Sequence, residues 1–188
     1  VHGTAIHFRF ERYRMFETAA ATDRPDYSLL TQQVSSILTG ETALMTNAAQ
    51  FSALVYHSLS DLNWAGFYLC TPAAKAGGEF SHDLLLGPFQ GKVACVRIPF
   101  GRGVCGSTAS QRSTILVPDV HAFPGHIACD SASNSEIVIP LIKDGKLYGV
   151  FDIDSPKLNR FTAEDQQGLE AMVAAFMQAT DFSQISGA

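Results

Sequence analysis

The residues whose types and spacing could do chemistry are three cysteines, Cys95, Cys105 and Cys129, and three acids that follow them, Glu136, Asp152 and Asp154. A thiol of reference pKa about 8.5 becomes a useful nucleophile when a nearby cation or helix N-terminus lowers it. Cys129 lies just after Gly125-His126 in a long aperiodic stretch, where a reactive thiol could be reached; burial as a small apolar side chain is the plain alternative. Cys95 falls on a predicted strand and Cys105 inside Gly103-Val104-Cys105-Gly106. Each could meet Cys129 only if the fold brings their Cα atoms within about 7 Å. No pair has C-x-x-C spacing, which argues against a zinc ribbon and a thioredoxin-type motif. Cys70 ends an aromatic strand and reads as core packing.

Side chains alternate along a strand, so over Gly149 to Asp154 the residues Val150, Asp152 and Asp154 share one face, with the two carboxylates about 7 Å apart. Glu136 joins them or not according to register. A two-residue turn at Asp144-Gly145 pairs Ile137 with Asp152, and a three-residue turn pairs Glu136 with Asp152. A cluster of three acids raises at least one pKa by like-charge repulsion, giving a proton donor near neutral pH, while another stays ionised and can hold an ammonium group. A solvated polar face is the alternative. Trp64 and Tyr68, four apart on a strand, point the same way and suit core packing or the wall of an apolar subsite. His121, His126 and Cys129 share one loop, but their spacing matches no common metal site, so no metal is expected.

The elements that must position these residues are legible in outline. Pro25-Asp26 starts a helix with Leu30, Val34, Ile37 and Leu38 at helical spacing, stopped by Gly40. A second helix reads from Thr42 to His57. Strands are predicted at Leu62–Cys70, Leu84–Leu86, Val93–Ile98 and Thr114–Val117, with a loop at Pro72–Gly78 and a short helix after the turn at Gly101-Arg102-Gly103. Pro118 to Asn134 reads as a long loop, and loops of that length in a compact domain are usually functional. SEIVIPLIK and KLYGVFDIDS around Asp144-Gly145 specify a hairpin, and Thr162 with Asp165 caps a closing helix. Helices at both ends of a run of about six antiparallel strands make the class α+β.

The chain of 188 residues fits one domain, with 46% hydrophobic and 16% charged residues against about 25% charged in typical globular proteins. Its formal charge of −5 and lack of a basic stripe exclude a nucleic-acid partner. No apolar run approaches the roughly 18 to 20 residues that span a bilayer. The domain is expected over 25–182. Residues 1–24 are expected to be a poorly ordered leader or foreign remnant, with Met15 a potential start and a transit segment left open. With no secretory pattern, a cytoplasmic location is expected, and four cysteines there point to redox or nucleophilic use.

The stretches LNWAGFYL, LGPFQGKVACVRIPFGRGVCG, HIACDSASNSEIVIPL and GVFDIDSP resemble the free methionine-(R)-sulfoxide reductases, a family with a GAF-type fold, over roughly residues 27 to 178. The resemblance implies that Cys129 is the nucleophile, Cys95 the principal resolving cysteine and Cys105 a further redox cysteine able to take part in disulfide exchange. It implies that Glu136, Asp152 and Asp154 bind substrate and assist catalysis, with Trp64 and Tyr68 as an aromatic wall around the substrate methyl group. The reaction implied is reduction of free L-methionine-(R)-sulfoxide through a cysteine sulfenic acid and an intramolecular disulfide. Thioredoxin or a related dithiol protein would reduce that disulfide, NADPH entering only through that system, with no bound cofactor and a homodimeric assembly. A GAF ligand-binding or redox-sensing module without turnover is the alternative.

Overall fold

The computed structural model describes residues 21–22, 24–74, 80–125, 131–185 and 187–188. Cys129, His126 and nearly all of the expected leader lie outside them. The leader's described end is tied down, since Thr22 forms a parallel bridge with Leu59.

Two helices come first, α1 (Tyr27–Ile37) and α2 (Leu44–Ser58). The expected start of α1 is found: Asp26 caps it by accepting from the Leu29 amide. Strands β1 (Trp64–Ala74), β2 (Phe80–Gly91) and β3 (Arg97–Pro99) follow, then α3 (Gly103–Gln111) and β4 (Ile115–Val117). After a single 3₁₀ turn at Val120–Ala122 come β5 (Ser135–Lys143), β6 (Lys146–Ser155) and α4 (Ala163–Ala179). Thr162 and Asp165 close a reciprocal capping box on α4, as the sequence predicts.

The six strands form one sheet in the order β3-β2-β1-β6-β5-β4, antiparallel throughout. One face packs on α1, α2 and α4 through a core that includes Phe51, Phe67, Phe151 and Phe176, with ring centroids 4.7 to 5.7 Å apart in the contacting pairs. The opposite face carries Trp64, Tyr68, Val138 and Val150 and is roofed by α3. Ala65, Phe67, Ile153 and Phe151 on the helix side alternate with Trp64, Tyr68, Asp152 and Asp154 on the other.

Three expectations are corrected. Pro72 is not in a loop: β1 runs on to Ala74, with Pro72 opposite His82. This costs no ladder bond to β6, because β6 pairs with β1 only from Trp64 to Leu69. The strand expected over Val93–Ile98 shrinks to Arg97–Pro99, because the preceding backbone is drawn towards β1: Trp64 Nε1 donates to the Lys92 carbonyl at 3.2 Å and the Tyr68 hydroxyl to the Cys95 carbonyl at 3.0 Å.

The third concerns the hairpin register. Asp144-Gly145 makes the two-residue turn, with Lys143 opposite Lys146, but an extra residue at Tyr148 then shifts the ladder, so Leu141 faces Gly149, Val138 faces Asp152 and Glu136 faces Asp154. Neither predicted register holds, yet all three acids reach the same face. The bulge rests on Gly149, whose φ of 157° and close approach to the Tyr68 carbonyl leave no room for a Cβ. Gly149→Ala is therefore expected to cost at least about 3 kcal/mol of unfolding free energy. A urea titration that moves the midpoint by less than a third of that would show that the bulge relaxes freely.

Candidate functional site

The face of the sheet opposite α1, α2 and α4 opens into a partly open cavity. Its floor is built by the central pair β1 and β6. Trp64 pairs with Asp154 and Gly66 with Asp152 across that ladder, which sets an indole beside one carboxylate and bare backbone beside the other. Gly66 has to be glycine, because a Cβ there would run into the Trp64 ring and Phe89. Trp64 stacks between Tyr68 and Phe89, with centroids 5.7 and 5.4 Å away and planes 25° and 15° apart. The hydrogen bonds to the Lys92 and Cys95 carbonyls hold the two polar aromatic tips, so the wall is rigid and presents its apolar surface.

Beneath the wall sit Glu136 and Asp152, each 6% exposed, with Asp154 half-buried at the rim. β5 supplies Glu136 and β6 the other two. The Cys105 thiol, 4% exposed on the first turn of α3, donates to Glu136 Oε1 at 3.9 Å. Donor atoms of Cys105, Glu136 and Asp152 all lie within 4.8 Å of one another. Burial, followed by the charges of Asp152 and Asp154, pushes the Glu136 carboxyl well above the usual carboxylate range. Burial likewise pushes Asp152 up to about 7, opposed only in part by hydrogen bonds from Cys105 and Glu136. The Cys105 thiol is driven well above its ordinary value by burial and then by the three acids, so it is held as a thiol. Asp152 Oδ1 is buried and has no hydrogen-bond partner among the described residues.

Glu136, Asp152, Asp154, Trp64, Tyr68 and Cys105 all line this one cavity, as the sequence reading gathers them. Cys95 accepts the Tyr68 hydroxyl at its carbonyl and is disulfide-bonded. Cys129 lies outside the described residues. His121 is exposed and engaged by Asn134 Oδ1 at 2.8 Å, away from the cavity residues.

Sequence reasoning misses two contributors. Phe89 completes the aromatic stack from β2. Arg102, the N-cap of α3, lines the cavity with Gly103 and Val104 of the first turn, at a helix start that no side chain caps. The signal for Arg102 is present: an arginine between two glycines, followed by a helix lacking a capping residue. In sum the cavity combines buried acids, an apolar wall and a helix N-terminus with an arginine at its N-cap, a pattern that fits a small zwitterion with an apolar tail.

Comparison with known proteins accords with that geometry. The GAF domain family model matches residues 32–179. The chain is 50% identical over 148 residues to the free methionine-R-sulfoxide reductase of Escherichia coli (strain K12), covering 79% of this chain and 84% of that protein. It is 46% identical over 138 residues to the free methionine-R-sulfoxide reductase of Saccharomyces cerevisiae, covering 71% and 73%. The X-ray structure of free methionine-R-sulfoxide reductase from Neisseria meningitidis in complex with its substrate superposes with a TM-score of 0.74 at 37% identity, over 87% of this chain and 95% of that one.

Proposed function

The chain belongs to the GAF-domain family and, within it, to the free methionine-R-sulfoxide reductases, and on that premise we propose that its cavity reduces free L-methionine-(R)-sulfoxide by thiol chemistry. It is an oxidoreductase, and the observation that carries the substrate reading is the buried Asp152 Oδ1 without a partner, set beside a rigid aromatic wall. An α-ammonium supplies the missing donor. The α-carboxylate has the Gly103 and Val104 amides and Arg102 at the α3 N-terminus, and the methyl group has Trp64 and Tyr68. A peptide-bound methionine has no ammonium to offer, so discrimination follows from leaving Asp152 unpaired.

In the step we propose, the Cys129 thiolate attacks the sulfoxide sulfur, forming a sulfur–sulfur bond, while Glu136, whose hold on a proton is strengthened by burial and by the charges of Asp152 and Asp154, protonates the departing oxygen, which leaves as hydroxide. That hydroxide then attacks the Cys129 sulfur and breaks the new sulfur–sulfur bond, so the substrate leaves as the two-electron-reduced thioether and Cys129 is left as a sulfenic acid. The Cys95 thiol then displaces water from that sulfenic acid to form the Cys95–Cys129 disulfide, and an external dithiol of the thioredoxin class reduces it by exchange. Cys105 serves as a buried thiol donating to Glu136; taking part in exchange would require it to leave its place under the cavity, where burial and three acids disfavour the thiolate. The test is a single turnover on reduced protein. One equivalent of methionine per chain, with a Cys95–Cys129 cross-link in the peptide map, is expected, and a cross-link through Cys105 contradicts the assignment.

Cys95→Ser is expected to keep that first turnover and to slow dithiol-driven recycling by at least about tenfold, read as steady-state rate against burst amplitude. Equal recycling with and without Cys95 means that another thiol resolves.

Asp152 also sets a pH dependence. Its carboxyl ionises near pH 7, so the anion that holds the ammonium is formed as pH rises through that value and is lost below it. In a Cys129→Ser background, where no thiolate titration intervenes, calorimetric affinity for the sulfoxide is expected to tighten about tenfold from pH 6 to pH 8, following the ionised fraction. A flat profile rules out Asp152 as the ammonium anchor.

A further inference from the structure

We propose that Cys105, Glu136 and Asp152 form a binding site for a thiophilic divalent cation of the zinc class, and that an ion held there shuts the cavity to substrate. The fold itself brings together the residues that build it. One thiol and two carboxylates, brought in from α3, β5 and β6, have donor atoms within 4.8 Å of one another, and all three side chains are buried. Tetrahedral zinc binds sulfur at about 2.3 Å and carboxylate oxygen at about 2.0 Å, which sets those two donors about 3.5 Å apart. Cys105 Sγ and Glu136 Oε1 stand 3.9 Å apart, a few tenths of an ångström from that spacing.

Asp152 Oδ1 is the independent sign of a ligand. It is buried with no partner, so an ion gains a ligand there without breaking a hydrogen bond. Burial disfavours the ionised forms of these donors while the site holds no cation, and a dication offsets that cost and their mutual repulsion once it binds. On binding, the Cys105 thiol and whichever carboxyl groups are protonated release their protons to solvent, and no electron transfer is involved. Three protein ligands leave a fourth position open towards the cavity, as in zinc sites that exchange. This site is distinct from the His121, His126 and Cys129 grouping in the sequence.

The inhibitory half of the proposal rests on the substrate reading above, since the ion takes the oxygen that the ammonium needs; the binding half does not. Binding is therefore tested first, without substrate, on chelator-treated protein carrying its Cys95 disulfide, by titration with Co²⁺. One equivalent is expected to raise a thiolate-to-cobalt charge-transfer band in the near ultraviolet, displaced by Zn²⁺. The band is expected in Cys70→Ala, which removes the other buried free thiol, and to be absent from Cys105→Ala. If Cys105→Ala does not fold, Glu136→Gln serves in its place, with at least a tenfold loss of Co²⁺ affinity. No band in the parent protein, or a band that survives the loss of Cys105, overturns the site. With binding established, Zn²⁺ is expected to raise KM for the sulfoxide with kcat unchanged; a fall in kcat alone shows that the ion and the ammonium do not compete, and overturns the inhibitory half while leaving the site.

Discussion

Cys129→Ser is expected to lower the rate of free methionine-(R)-sulfoxide reduction by more than about a thousandfold, because a serine hydroxyl is almost entirely un-ionised near neutral pH while a cysteine thiol is not. The second reason is thermodynamic. The reaction removes oxygen from the substrate and must leave it on the enzyme, and sulfur can accept it as a sulfenic acid where an alkoxide oxygen cannot. The loss should fall on kcat, with sulfoxide binding retained, because the proposed ammonium, carboxylate and methyl positions lie at Asp152, the α3 N-terminus and the aromatic wall, none of which includes Cys129. Retention of even a tenth of the parent rate would place the nucleophile elsewhere. Cys105 is then a poor substitute, buried at 4% exposure and held as a thiol by three acids.

Asp152→Asn is expected to weaken kcat/KM by about a hundredfold, chiefly through KM. Removing one partner of a buried, hydrogen-bonded charge pair costs about 3 kcal/mol, which is two orders of magnitude in affinity. The same substitution should stabilise the free protein. Asp152 is raised from its ordinary value to about 7 by burial, so the folded state holds its proton more tightly than the unfolded chain. The resulting stability is full at low pH, and it is lost as pH rises from about 4 through about 7. Above that range the folded protein carries a buried anion that asparagine relieves. At pH 8 the variant's Tm is therefore expected to exceed the parent's by several degrees, and near pH 4 the two should converge. A variant less stable at pH 8 and unchanged in KM would show that this carboxylate is structural. A site kept at a cost in stability is what a ligand-binding role implies.

Much of this site is legible in the amino-acid sequence, for reasons that can be named. Alternation along β6 places Asp152 and Asp154 together whatever the neighbouring strand does, and Asp144-Gly145 fixes the turn. The pairing of Glu136 with Asp154 is not legible, since it depends on the bulge at Tyr148-Gly149, and that bulge is set by contact with the Tyr68 carbonyl, 80 residues earlier in the chain. Pro72 misleads because a proline reads as a strand breaker, while the position it occupies lies beyond the reach of β6. The shortened β3 has the same origin. Most of its missing residues are apolar, but two aromatic side chains of β1 take the carbonyls of Lys92, just before them, and of Cys95, among them. Arg102 goes unnoticed because its role comes from the helix it precedes and the cavity that helix roofs, neither of which is local to Gly101-Arg102-Gly103.

The most direct test of the central claim, that this cavity selects a free amino acid by its ammonium and a sulfoxide by its handedness, is NADPH consumption with thioredoxin and thioredoxin reductase. Four substrates are compared: the R and S epimers of free methionine sulfoxide, and the N-acetylated forms of each. Oxidation of NADPH with the free R epimer alone is the predicted result. Equal rates with the N-acetylated R compound would contradict the role of Asp152, and silence with all four, on folded and reduced protein, would contradict the enzyme reading and favour a GAF module that binds or senses without turnover.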